Sequence, residues 1–173
     1  MACCLLALAL AALPYGISTQ GQRQQAINEQ AFFSADEDPQ RPVVLAPNVL
    51  NVLLALREVK ESMERASDSE RKNPEQLFRA AEVHLRSAAE VDLVIMGRRP
   101  LTGADNSWFW VVRSIGRKPK VVLFTGGNSL ELSRTRTNGY HNVRTLWFNP
   151  NGTMDDVVSF QWYQVQTLEG NLA

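Results

Sequence analysis

Cysteine is almost absent from this chain of 173 residues, and both copies, Cys3 and Cys4, lie within the first eighteen positions. After residue 18 the sequence has no thiol for a disulfide, a nucleophile or a cysteine-ligated zinc site. Histidine is equally scarce: only His84 and His141 are present, and they do not form an H-x-x-x-H motif. These absences exclude the common cysteine and zinc chemistries after residue 18, and we predict no cofactor and no metal site.

The sequence motifs of several enzyme classes are missing as well. There is no G-x-S-x-G elbow, P-loop or Rossmann fingerprint, and Gly126-Gly127 lacks the third glycine and the helix that a phosphate site requires. Two carboxylates could still serve a glycan hydrolase, which places an acid on each side of the scissile bond. The candidate carboxylates are Glu82, Asp92, Asp105, Asp155 and Asp156. The sequence leaves catalysis open but favours a non-enzymatic protein.

Charge is absent from the first 22 residues, where a continuous apolar block over 5–13 is followed by Pro14 and Gly16. This pattern is typical of a secretory signal peptide, although the usual basic segment before the apolar block is missing. We predict a signal peptide over 1–18 and a secreted or periplasmic protein. The alternative is a membrane anchor formed by residues 2–18, a length at the short end of what spans a bilayer.

The rest of the chain divides into two parts. Residues 19–45 are polar and include the acidic run Asp36-Glu37-Asp38-Pro39, so we predict a linker there. Residues 46–168 are predicted to form one domain, since about 155 residues after the leader suffice for a single core.

Positive charge is concentrated in the middle of the chain, although the net charge is zero. Residues 91–145 carry nine Lys or Arg against three acids. Four of these residues are candidates for contacting an anion: Arg98, Arg99, Arg134 and Arg136. The alternative is that they are solvated residues on strand faces. No nucleic-acid motif accompanies them, so no nucleic-acid partner is predicted.

The hydrophobic pattern changes from helical to strand-like along the chain. From Pro47, apolar residues recur every three or four positions and predict one amphipathic helix over 47–66. The segment 77–86 fits helix or strand, and we favour a short helical turn followed by a strand. Six later segments rich in β-branched and aromatic residues predict strands: 91–97, 107–114, 120–126, 129–136, 143–149 and 157–166. The fold class predicted is α+β, an antiparallel β-meander with one amphipathic helix packed on it.

Part of the β region also repeats. DLVIM at 92–96, followed by SWFW at 107–110, is echoed by NVRTL at 142–146 and SFQW at 159–162. The echo indicates two similar β units, with chance similarity between aromatic strands as the alternative.

The aromatic residues of the β region are the best candidates for binding. Trp108 and Trp110 are two positions apart, so they point to the same face of a strand. Such rings can form a stacking platform for sugars or an apolar patch for a protein, and the alternative is that they form the core. The predicted binding residues are Trp108, Trp110, Tyr140, Trp147 and Trp162.

The segments EVDLVIMG, RPLTGADNSWFWVVR, VVLFTGG and LELSRTRTNGYHNVRT occur in this order. Their layout resembles that of a group of uncharacterised secreted bacterial proteins with the pattern DLVVMG…GAN…FWVFR…RTNGYRDI. The resemblance covers residues 78–163, and it implies a shared β-rich architecture without a known activity. The Asn-Gly-Tyr turn is also similar to the FG-GAP repeats of β-propellers. Because the acidic D-x-N-x-D-G loop of those repeats is missing, calcium binding is not predicted.

The expectation from sequence is a secreted or periplasmic, non-catalytic protein that binds an envelope or extracellular macromolecule. The expected partner is a protein or a glycan of the cell envelope, and membrane contact is expected only if the leader is retained. Two alternatives remain open, a carboxylate-based glycan hydrolase and a passive structural accessory protein.

Overall fold

The computed structural model describes residues 30–102, 106–115, 118–149, 151 and 153–160. Within these ranges it contains three α-helices, one 3₁₀ helix and eight strands. The helices are α1 Pro47–Ala55, α2 Arg57–Met63, α3 Asp68–Lys72 and the 3₁₀ helix Pro74–Leu77. The strands are β1 Phe32–Ser34, β2 Phe78–Val83, β3 Asp92–Gly97, β4 Ser107–Ile115, β5 Lys118–Gly127, β6 Ser129–Thr137, β7 Tyr140–Phe148 and β8 Met154–Phe160.

The strands form two antiparallel four-stranded sheets. Sheet I has the order β2-β3-β4-β5, and sheet II has the order β1-β6-β7-β8. Apart from β1, each sheet is a meander in which strands that are consecutive in sequence pair with each other. The predicted α+β class with an antiparallel meander is confirmed. The echoed segments 92–96 and 107–110 fall in β3 and β4, and 142–146 falls in β7, whereas 159–162 is described only at its first two residues, in β8. The proposed duplication itself stays a prediction.

The two inner strands of sheet I, β3 and β4, are buried on both faces. On one face, Phe109 and Val111 join residues of sheet II, such as Leu130 and Val143, in a core between the sheets. On the other face, Trp110 and Val112 pack under the helices in a second core. The continuous apolar run of β4 follows from this arrangement, because a strand covered on both sides does not alternate apolar with polar residues.

The predicted helix over 47–66 is divided. The backbone of Leu56 is extended, with φ −65° and ψ 142°, and it separates α1 from α2. Leu53 before the break and Val59 after it are both fully buried. Since Ala55, Leu56 and Arg57 are good helix formers, packing against sheet I and not local propensity accounts for the break. No helix among the described residues is long and apolar enough to span a bilayer.

A further helix, α3, follows the segment 47–66 that the sequence predicts to be helical. The Ser67 hydroxyl accepts a hydrogen bond from the Glu70 N–H at 3.3 Å, and Glu70 Oε2 accepts one from the Ser67 N–H at 2.7 Å. This reciprocal capping box satisfies two free donors at the start of the helix.

The predicted linker 19–45 contributes a strand, which corrects its description as a polar connection. Phe33 of β1 pairs with Leu130 of β6 and is fully buried in the core between the sheets. The backbone that follows is held by Arg79, whose guanidinium donates to the carbonyl oxygens of Ala35 at 2.6 Å and Glu37 at 2.7 Å. The folded unit therefore begins before residue 46, because one apolar side chain in a polar segment completes the core.

Local signals at two other places are confirmed. The 3₁₀ helix is followed directly by β2, as favoured for 77–86. Asn138 and Gly139 both have positive φ, 53° and 84°, and form the two-residue turn between β6 and β7. The dipeptide Asn151-Gly152, which also predicts a tight turn, includes Gly152, which lies outside the described residues.

Candidate functional site

Trp108 and Trp110 share the face of sheet I that is covered by the helices, but only Trp108 reaches the surface. Trp110 is fully buried, and its indole Nε1 lies 3.5 Å from Oε1 of Glu58 in α2. The prediction that Trp110 is a surface binding residue is corrected here. The reason is its position on an inner strand of sheet I beneath the helical layer.

Phe124 of β5, the cross-strand partner of Trp110, exposes its ring at the surface, whereas Trp110 does not. The Phe124 ring stacks on the Trp110 ring with centroids 5.6 Å apart and an interplanar angle of 21°. Trp108 stands perpendicular to Phe124, with centroids 5.7 Å apart and an angle of 90°. Phe124 is 43% exposed and Trp108 is partly exposed. We call Trp108 and Phe124 the aromatic corner, with Phe124 as its floor and Trp108 as its wall.

The aromatic corner has a rigid base. Behind it, Trp110 makes a second edge contact with Phe78 of β2, with centroids 5.7 Å apart. Both residues belong to the core between sheet I and the helices. Rings held by a packed interior lose little freedom when a ligand binds, which favours recognition by preorganisation.

Trp147 lies close to the aromatic corner along β5. Its Cη2 atom is 3.4 Å from the position that a Cβ atom would occupy on Gly126, and Gly126 pairs directly with Trp108. A glycine at this position leaves room for the indole, as glycines in strands do where another group approaches closely. Two predicted binding residues, Trp108 and Trp147, are thus brought to the same end of the β4–β5 pair.

Tyr140 lies elsewhere, at the start of β7 in sheet II. Its ring is covered by two guanidinium groups, with the Cζ atom of Arg113 4.3 Å and that of Arg86 5.5 Å from the ring centroid. The Tyr140 hydroxyl accepts a hydrogen bond from Arg113 Nη2 at 3.1 Å. The structure does not join Tyr140 to the aromatic corner, and Trp162 lies outside the described residues.

Arg113 also forms an ion pair with a buried acid. Asp92 is 2% exposed, and its Oδ1 atom accepts from Arg113 Nε at 2.9 Å, whereas Oδ2 has no hydrogen-bond partner among the described residues. Burial raises the pKa of Asp92, although the charge and hydrogen bond of Arg113 oppose the shift. Burial also acts to lower the pKa of Arg113, but Tyr140 and Asp92 outweigh it and the net shift is upward. Arg113 therefore stays charged and links sheet I to sheet II.

The raised pKa of Asp92 predicts a pH dependence of stability. Between pH 3.8, the ordinary pKa of an aspartate, and the raised pKa of Asp92, the folded state binds this proton more tightly than the unfolded state does. The free energy of unfolding therefore falls as the pH rises from 3.8 through the pKa of the folded state. Asp92→Asn removes this titration while keeping the side-chain shape. We expect the stability of the wild type relative to the variant to increase as the pH falls toward 3.8. Urea unfolding of both proteins across this range would show it, and a constant difference would contradict it.

The four predicted anion-contacting arginines are not gathered into one site. Arg98 pairs with Asp38 at 2.8 Å, and Arg136 donates to the carbonyl oxygens of Arg86 and Gly139. Arg99 and Arg134 are exposed and form no ion pair with the residues that the structure describes. Arg98 and Arg99 follow β3 of sheet I, whereas Arg134 and Arg136 belong to β6 of sheet II, so anion contact by these residues stays a prediction for two separate places.

Of the carboxylates considered for hydrolysis, the two that the structure describes do not face each other. Glu82 and Asp92 lie on opposite faces of sheet I, because Asp92 pairs with Val83, the neighbour of Glu82. Asp105 and the side chains of Asp155 and Asp156 lie outside the described residues. Within the described ranges, no group of three or more His, Cys, Asp or Glu is placed to hold a metal ion.

Comparison of the chain with protein-family models, with curated proteins and with solved structures finds no match. The resemblance to secreted bacterial proteins therefore stays a prediction, and the aromatic corner is interpreted from its own geometry.

Proposed function

We propose that this chain is an exported, non-catalytic protein that binds an envelope or extracellular glycan through the aromatic corner. One observation carries the proposal: Phe124 exposes its ring at the surface while Trp110 supports it from below and Trp108 stands at a right angle beside it. Aromatic rings contribute large apolar contact areas with defined geometry. A floor and a wall at 90° suit the apolar face of a saturated sugar ring.

A glycan fits these residues better than an apolar protein surface does. On the face of β5 that carries Phe124, the position next to the corner is Gly126, which has no side chain that would extend the corner into a broad apolar patch. The exposed aliphatic residues among those that the structure describes, Val44, Val91, Ile115 and Val158, lie outside β5. Export remains part of the proposal and is supported by the apolar leader in the sequence.

The test is a titration of the full chain with soluble envelope oligosaccharides, in which tryptophan fluorescence reports binding. Phe124→Ala is expected to weaken binding by about tenfold or more, since truncation of an aromatic anchor at the centre of a binding surface commonly costs more than 1 kcal/mol. Phe32→Ala is the matched control, because Phe32 is also exposed but lies on β1 in sheet II.

If Phe124→Ala and the wild type bound the oligosaccharides with equal affinity, the aromatic corner would not be the binding site. If the chain responded to no oligosaccharide but bound an envelope protein, and Phe124→Ala lost that binding, the aromatic corner would still be the site. Its partner would then be a protein and not a glycan.

A further inference from the structure

The tip of the Trp147 indole reaches the face of sheet I that carries the aromatic corner, although Trp147 belongs to β7 of sheet II. Its Cη2 and Cζ2 atoms lie 3.4 Å and 3.5 Å from the position that a Cβ atom would occupy on Gly126. Gly126 pairs with Trp108 and lies two residues after Phe124, so a side chain there would point to the same face as those two rings. Three aromatic residues from three strands therefore meet around one glycine.

Space and not backbone conformation explains the glycine at position 126. Its φ angle is not positive, in contrast to that of Gly139 in the β6–β7 turn. A glycine inside a strand packs no side chain and weakens the strand, and it often marks a place where another group approaches closely. At Gly126 that group is the Trp147 indole, which stays partly exposed. The glycine thus lets a further aromatic surface stand beside the aromatic corner.

We propose that Trp147 forms a second sugar subsite next to the aromatic corner, so that the site takes a linear glycan of at least two sugar units. This inference rests on the proposed glycan binding and extends it from a class of ligand to a length of ligand. Phe124 and Gly126 are roughly 7 Å apart along β5, since a strand rises about 3.3 Å per residue. This separation is comparable to the length of one pyranose unit in an extended chain. A sugar stacked on Phe124 therefore brings its neighbour to the exposed surface of Trp147.

The experiment compares soluble β-1,4-linked oligosaccharides of glucose and of N-acetylglucosamine, each with one to four sugar units. NMR titration of the full chain gives a dissociation constant for each length. For the wild type we expect the affinity to rise on the order of tenfold from one unit to two. Such a gain corresponds to about 1.4 kcal/mol, which lies within the range of an aromatic contact at a binding surface. The indole N–H signal of Trp147 is expected to shift with two units and not with one.

Trp147→Ala is expected to bind one unit as the wild type does and to lose most of the gain at two units. The unchanged affinity for one unit also shows that the variant is folded. Trp147→Leu keeps apolar volume beside Gly126 without a ring, and it gives the same comparison if the alanine variant does not fold. Phe148→Ala is the matched control, because this exposed ring is the next residue of β7 and points to the other face of the strand.

Equal affinities of the wild type for one and two units would overturn the second subsite, and so would a gain with length that persists without the Trp147 ring. Either result would leave glycan binding at the aromatic corner in place, because a single unit still binds there. Failure of every oligosaccharide to bind, or unchanged binding in Phe124→Ala, would instead overturn the proposed function and the second subsite with it.

Discussion

Replacing Trp110 by alanine is expected to lower the free energy of unfolding by about 3–5 kcal/mol, the range for truncating a large buried aromatic side chain. The indole is fully buried and contacts the rings of Phe78, Trp108 and Phe124. Its loss leaves a cavity between sheet I and the helices, which the surrounding backbone can fill only in part. Denaturant unfolding followed by circular dichroism measures the effect.

The control for this change is Trp108→Ala, which removes the same side chain two positions away on the same face of β4. Because Trp108 is partly exposed, its truncation is expected to cost clearly less stability than that of Trp110. Equal losses for the two variants would contradict the assignment of Trp110 to the core and of Trp108 to the surface.

Replacing Phe33 by alanine is expected to destabilise the protein by a similar amount, about 3–5 kcal/mol. This ring belongs to β1 of sheet II and is fully buried in the core between the two sheets, although it lies in a polar segment. Phe32→Ala is the matched control one residue earlier, where the ring is 50% exposed, and it is expected to change stability by less than about 1 kcal/mol. Thermal unfolding of both variants compares them directly.

If Phe33→Ala were as stable as Phe32→Ala, β1 would not belong to the folded unit. Residues 19–45 would then be a linker, as the sequence predicts. A large loss at Phe33 alone would establish that the domain begins upstream of residue 46.

Strands and turns were predictable from the sequence because their signals are local. The β-branched and aromatic segments from residue 91 onward coincide with β3–β7, and Asn138-Gly139 supplies the positive φ angles of a tight hairpin. The predicted strand over 157–166 overlaps β8 at 157–160, and its other residues lie outside the described ranges. Where tertiary packing decides, the local pattern was insufficient. It gave no reason for the break at Leu56, and a single apolar residue in a polar segment did not reveal that Phe33 completes the core.

The candidate site was predictable only in part for a similar reason. Alternation along β4 places Trp108 and Trp110 on one face, but it cannot say which of them the helices cover. Phe124 was missed because β5 reads as a continuous apolar strand, and its exposure depends on being at the edge of sheet I beyond Trp110. Asp92 and Arg113 are 21 positions apart in the sequence, and no local motif predicts their contact.

The most direct test of the glycan-binding account is a two-dimensional NMR titration that follows the indole N–H signals of the four tryptophans as envelope oligosaccharides are added to the full chain. The account predicts that the Trp108 signal shifts most and that the shift disappears in Phe124→Ala. It also predicts a smaller response at Trp110, whose indole is buried beside Glu58. Saturable binding that leaves the Trp108 signal unchanged would contradict the account and place the site elsewhere on the protein.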